Sequence, residues 1–171
     1  MKRTATYRRA IIVAATAAAV FAVDIISKTW ALSHAPTDPR PLVGFLNLQL
    51  DLNPGNILNP TAAPGPFVVG SHVAMLIVLV GFFWIFTTKV GALAVGLALG
   101  GTIGNGIQLL LAPHHVVDFI GIGTWRVLNL ADFALFAAAL LAAWETVLFV
   151  RRLHRTPASS AASGLGSPTS G

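Results

Sequence analysis

Asp118 and Asp132 are the residues best placed in this chain to do chemistry. They stand in Val116-Val-Asp-Phe-Ile120 and Asn129-Leu-Ala-Asp132, at the two ends of a short connection between apolar segments. The chain has only six acidic residues, and an ionisable group set in an apolar run at membrane depth is a functional candidate by default. Two carboxylates sharing a water cannot both ionise easily. One holds a proton, so one member acts as base while the other acts as acid. Attack of water on a peptide carbonyl needs that pairing. The topology allows the two to meet at one edge of a membrane.

Other groups have competing readings. Asn129 with Asp132 three residues on has the spacing of a helix capping box, which also suits the helix dipole. That motif serves structure and catalysis alike, since capping fixes Asp132 in one place. His114, His115 and Asp118 suggest a metal site, but no further ligand is well placed and a solvated loop accounts for the histidines. Ser27 and Lys28 suggest a Ser-Lys hydrolase dyad, yet adjacent side chains diverge on a helix. An Asp24–Lys28 pair at i,i+4 fits better, anchoring the end of the first span. Asn105 has interhelical hydrogen bonding as its default use.

The elements that must position these residues follow from composition. Of 171 residues 55% are hydrophobic and 10% charged, against roughly a quarter charged in soluble domains. So few charges cannot solvate a globular surface, and an integral membrane protein is expected. No cysteine is present, which excludes disulfides, thiolate metal sites and a Cys nucleophile. The net charge of +5 tracks membrane topology rather than one folded face, which argues against nucleic acid as a partner.

Apolar segments predict four spans, about 10–28, 67–86, 91–111 and 130–150, each near the roughly 20 residues a bilayer requires. The first resembles a secretory signal peptide with Ala31–Ala35 as a loose cleavage site, but its length and its Asp-x-x-Ser-Lys ending favour an uncleaved span. Between His34 and Pro66 lie seven of the ten prolines, which preclude a continuous helix. There Phe45–Asn53 alternates apolar and polar residues as a short half-exposed strand does, and Asn53-Pro-Gly-Asn56 has turn chemistry. Thr87–Val90 is a tight hairpin between spans. Gly96, Gly100 and Gly104 give the third span one smooth face for close packing. The expected fold is an all-α membrane protein of four transmembrane helices with a small β-containing extracytoplasmic loop region. Residues 1–155 form a single domain, and 156–171 form a disordered cytoplasmic tail. Eight Lys and Arg fall on the side of the termini and three on the other, which puts both termini in the cytoplasm and the Asp pair outside. Glu145 is expected near the inner end of the last span, paired with a neighbouring Arg.

Together these residues resemble lipoprotein signal peptidase, the bacterial type II signal peptidase family. Asp24, Ser27 and Lys28 match its Asp-x-x-Ser/Thr-Lys block. Gly100, Gly101, Gly104 and Asn105 match Gly-Gly-x-x-Gly-Asn, Val116–Ile120 matches Val-Val-Asp-Phe-Ile, and Asn129, Ala131 and Asp132 match Asn-x-Ala-Asp. The resemblance implies an aspartic endopeptidase of the bacterial cell membrane, without metal or other cofactor, cutting a diacylglyceryl-modified prolipoprotein before its lipidated cysteine. Asp118 and Asp132 would be the dyad, and Asn105 and Asn129 would order the site. Asp24 and Lys28 would support it, and Asn53 and Gly55 would line the substrate cleft from the loop. Three departures stand out. Gln108 and Leu109 replace the usual Asp-Arg, Asn53-Pro-Gly-Asn-Ile-Leu58 lacks the usual loop aromatic, and the Asp118–Asp132 connection is short. They leave as alternatives a non-catalytic relative that binds lipidated or apolar peptides, and a small membrane scaffold or transporter.

Overall fold

The computed structural model describes residues 2–54, 66–111 and 115–155. Gly55, Asn56, His114 and the tail 156–171, all named above, lie outside the described residues.

Four helices and a four-stranded antiparallel sheet make up the described chain. α1, Lys2–His34, is longer than the expected first span at both ends. Its 33 residues measure about 50 Å at 1.5 Å per residue, so it reaches past a hydrocarbon core of about 30 Å. No Gly or Pro interrupts it before Pro36, which pushes Ala35 out of the helical region and ends the helix at His34. The Asp24–Lys28 pair therefore lies inside α1 rather than at its end.

α2, Pro66–Ile85, and α3, Lys89–Leu110, match the expected second and third spans to within two residues, and α4, Leu130–Arg155, outruns the fourth at its C-terminal end. By length and composition α1, α3 and α4 are apolar enough to cross a membrane, and α2 holds a shorter apolar helix, Gly70–Ile85.

α3 is the hub. It packs against α1, α2 and α4, while α1 also touches α4. The predicted glycine face makes this possible. A Cβ on Gly96 would lie 2.7 Å from Thr16 Cβ, and one on Gly100 would lie 2.7 Å from the Ala17 carbonyl oxygen. One on Gly104 would lie 2.6 Å from Asp24 Oδ2. The first two glycines serve packing, as their spacing suggests. Gly104 makes room for a carboxylate.

Arg9 ties α1 to α2 at the far end from the sheet. Its guanidinium donates to the carbonyls of Phe83 and Phe86, left free where α2 ends, and sits 4.4 Å from the Phe83 ring centroid. Glu145 on α4 is buried but, among the described residues, makes no ion pair with an Arg; the ion pair there is Asp24–Lys28. Arg9 is already committed to carbonyls.

The sheet has the order β1-β2-β3-β4: β1 Arg40–Val43, β2 Leu46–Asn53, β3 Val116–Ile122 and β4 Arg126–Leu128. β2 is the strand its alternation predicts. β3 corrects the reading of this stretch as a mere connection between spans, because its β-branched and aromatic residues complete a sheet that β2 alone could not form. Val117 and Phe119 pack on Ala31 of α1, seating the sheet on the end of that helix. Tight turns join β1 to β2 and β3 to β4, with Gly44 (φ 57) and Gly123 (φ 55) in the left-handed region.

The packing of α3 gives a direct test. Gly100→Ala and Gly104→Ala should each lower the thermal midpoint in detergent, at a cost of about 1–3 kcal/mol from overpacking. Gly81→Ala, a helix position with nothing within 4 Å of an added Cβ, should leave the midpoint unchanged or raise it.

Candidate active site

The polar residues of the site come from α1, β2, α3, β3 and the start of α4, and one hydrogen-bonded chain connects them. It starts on α1, where Lys28 Nζ lies 2.7 Å from Asp24 Oδ2, both side chains being almost fully buried. The i,i+4 spacing produces this pair, as the sequence suggests. Asp24 Oδ1 accepts the Ala131 N–H at 2.9 Å. That N–H belongs to the first turn of α4, where backbone donors have no partner within the helix. Asp24 thus caps a helix distant in sequence, a role its own neighbours give no sign of. Ser27 turns away and donates to the Asp24 carbonyl at 2.8 Å.

Lys28 Nζ also donates to Asn105 Oδ1 of α3 at 2.7 Å. An ammonium has only donors, so this contact fixes which end of the Asn105 amide is oxygen. Asn105 Nδ2 must then face the other way, and it donates to Asp132 Oδ1 at 2.9 Å. Asp132 Oδ2 accepts the Asn129 N–H at 3.0 Å, while Asn129 Oδ1 accepts the Asp132 N–H at 3.0 Å. This is the reciprocal capping box that the spacing predicts. It fixes the second amide too. Asn129 Nδ2 donates to Asp118 Oδ1 at 2.5 Å, and Asn53 Nδ2 of β2 donates to Asp118 Oδ2 at 2.9 Å.

The structure therefore brings together Asp24, Lys28, Asn53, Asn105, Asp118, Asn129 and Asp132, and Asn129 bridges the two candidate carboxylates. The capping and site-ordering readings of Asn129 hold together in one geometry. Among the described residues no group of three or more His, Cys, Asp or Glu side chains gathers around His115 and Asp118, and both oxygens of Asp118 accept from amides.

Asp118 is 2% exposed. Burial pushes its carboxyl up to about 7, opposed by the Asn53 hydrogen bond and reinforced by the negative charge of Asp132. Both aspartates line a cleft of about 480 Å³ with Asn53 and Arg126, and Leu135 and Phe136 of α4 continue its wall along the apolar helix. A buried carboxyl that titrates near neutrality beside a second carboxylate, open to a cleft, can exchange protons with a bound water.

Gln108 and Leu109 have a use that the sequence did not reveal. β4 ends at Leu128, opposite Ile120, so Val117 lacks a strand partner on that side. Gln108 Oε1 accepts its N–H at 3.1 Å, and the buried Leu109 packs on Val116. The two residues pin the start of β3, one place before Asp118, to α3.

The sequence profile of the signal peptidase (SPase) II family matches residues 16–148. The chain is 31% identical over 143 residues to a lipoprotein signal peptidase of Rhodococcus jostii, covering 80% of this chain and 72% of that one. It is 33% identical over 147 residues to one of Mycobacterium avium, covering 78% of each. Among solved structures, a bacterial membrane enzyme matches with a TM-score of 0.68 at 23% identity, over 85% of this chain and 92% of that one. That last likeness speaks for the fold.

Gln108→Leu should leave the Val117 N–H without an acceptor, at a cost of about 1–3 kcal/mol. Amide exchange at Val117 should accelerate and the thermal midpoint fall. Gln108→Glu, which keeps an acceptor oxygen, should do less of both.

Proposed function

The chain belongs to the signal peptidase II family, and from that premise we propose that it is an intramembrane aspartic endopeptidase. Its substrate is a diacylglyceryl-modified prolipoprotein, cut just before the lipidated cysteine. The observation that carries this reading is that Asn129 holds both carboxylates at the mouth of an apolar cleft, Asp118 through its side-chain amide and Asp132 through its backbone N–H.

Asp132, in the first turn of α4 where the helix dipole favours negative charge, is the carboxylate that takes a proton from water. Asp118 is the protonated partner. The water oxygen bonds to the scissile carbonyl carbon while Asp118 protonates the carbonyl oxygen, giving a tetrahedral diol. Its collapse breaks the C–N bond, with Asp132 returning its proton to the leaving nitrogen and Asp118 taking one back from a diol hydroxyl, which restores the dyad. The Asn amides hold both carboxylates in place, so little reorganisation accompanies the charge shift. Leu135 and Ala139 line both the dyad cleft and an apolar trench between α2 and α4, and this trench takes the signal segment. Both termini are cytoplasmic and the dyad faces outward, in line with the Lys and Arg distribution. Gln108 and Leu109 support β3 in this chain, so their presence does not favour a non-catalytic binder.

Purified protein in lipid should cleave a diacylglyceryl-modified prolipoprotein, with a chelator making no difference. Asp118→Asn and Asp132→Asn should each lower kcat by at least about 100-fold. A binder would retain the substrate and release no product. Because burial raises Asp118 above its usual value, the fold favours its protonated form. Cleavage should therefore fall as pH rises through about 7. Stability should move the same way: the contribution from neutral Asp118 is complete below its unfolded value of 3.8 and is lost as pH passes about 7. The stability advantage of the native protein over Asp118→Asn should shrink over that interval.

A further inference from the structure

The dyad cleft does not end at Asn53. A second recess of about 490 Å³ lies beyond it, with Gln49 and Asp51 of β2 on one wall and Thr124 and Arg126 of the β3–β4 hairpin on another. Asn53, Trp125, Arg126 and Val127 line both spaces, so the two form one groove that passes directly by Asp118.

The ends of this groove differ in chemistry. On the α4 side the dyad cleft runs into Leu135, Phe136 and Ala139, and on into the trench between α2 and α4. The recess carries instead one exposed carboxylate and one exposed guanidinium, from Asp51 and Arg126. Neither makes an ion pair among the described residues, where the pair is Asp24–Lys28. Both charges are therefore available to a ligand. Lys28, by contrast, is spent inside the polar network. The exposed Trp125 stands at the junction of the two spaces, where an indole suits an interface between apolar and wet surroundings.

A peptide cut at Asp118 and Asp132 has two arms. The trench is lined by apolar side chains, which suits a signal segment. The other arm has to leave at the opposite end of the groove. We propose that the recess is a subsite for the first residues of the mature polypeptide after the lipidated cysteine, in which Arg126 attracts acidic side chains and Asp51 attracts basic ones. This inference rests on the peptidase reading above. It makes the enzyme selective on the far side of the scissile bond, through charges that take no part in the chemical step.

The test uses the full-length protein in lipid and three lipidated substrates differing only at the second and third mature residues: Glu-Glu, Lys-Lys or Ser-Ser. The readout is the ratio of kcat/KM for the Glu substrate to that for the Lys substrate, so folding losses cancel within each variant. Arg126→Gln should lower the ratio and Arg126→Glu should lower it further, while Asp51→Asn should raise it. Each step should be roughly two- to five-fold, the range of exposed charge pairs, and should shrink with added salt. Cleavage of all three substrates with one ratio across the native protein and every variant would overturn the subsite and leave the peptidase reading intact. Failure of the native protein to cleave any of them would overturn the peptidase reading, and the subsite with it.

Discussion

A buried ion pair must be answered on every side, and the described structure is arranged around answering one. Asp24 and Lys28 sit almost fully buried on the helix that opens the chain. Burying each ion costs several kcal/mol, which their mutual attraction offsets only when the remaining donors and acceptors are also met. Asp24 is met by the first turn of α4 and Lys28 by Asn105 of α3. One pair thereby ties three helices together. From Asn105 the demand passes through Asp132 and Asn129 to Asp118, and ends at Asn53 of the sheet. Each amide is oriented by the partner before it, so Lys28 at one end dictates which face Asn105 turns to Asp132. At the far end of this chain both candidate carboxylates are held by Asn129, and burial pushes the Asp118 carboxyl up to about 7.

The same network explains why α3 is built from small residues. Gly100 lets the backbones of α1 and α3 approach, and Gly104 leaves the volume that Asp24 occupies. Larger residues there would part the helices and strand both charges. Close packing and the polar network are two aspects of one requirement.

Features set by local spacing could be read from the sequence. The Asp24–Lys28 pair, the Asn129–Asp132 capping box and the alternating strand β2 depend on residues within a few positions of one another, and each forms, although the pair sits inside α1 rather than at the end of the span. Features set by long-range pairing were not legible. Val116–Ile122 looks like an apolar connection until β2 lies beside it, because a short apolar run carries no label for its partner. Nothing near Asp24 announces that it caps α4, and nothing near Gln108 announces an unpaired N–H on Val117. The length of α1 was missed for another reason: hydropathy marks where a helix is apolar, whereas its ends are set by Pro36 and by propensity. Glu145 was assigned an Arg partner on proximity in sequence, while the Arg buried at that end of the bundle had already been taken by the carbonyls of α2.

The proposed aspartic chemistry requires the two carboxylates to share a proton. Infrared difference spectra of the native protein against Asp118→Asn, recorded across pH in lipid, report the protonated carboxyl of Asp118 directly. A shared proton gives a midpoint of about 7, and a lower midpoint when Asp132→Asn removes the neighbouring charge. A midpoint near the ordinary carboxylate value of about 4, unmoved by Asp132→Asn, would contradict it.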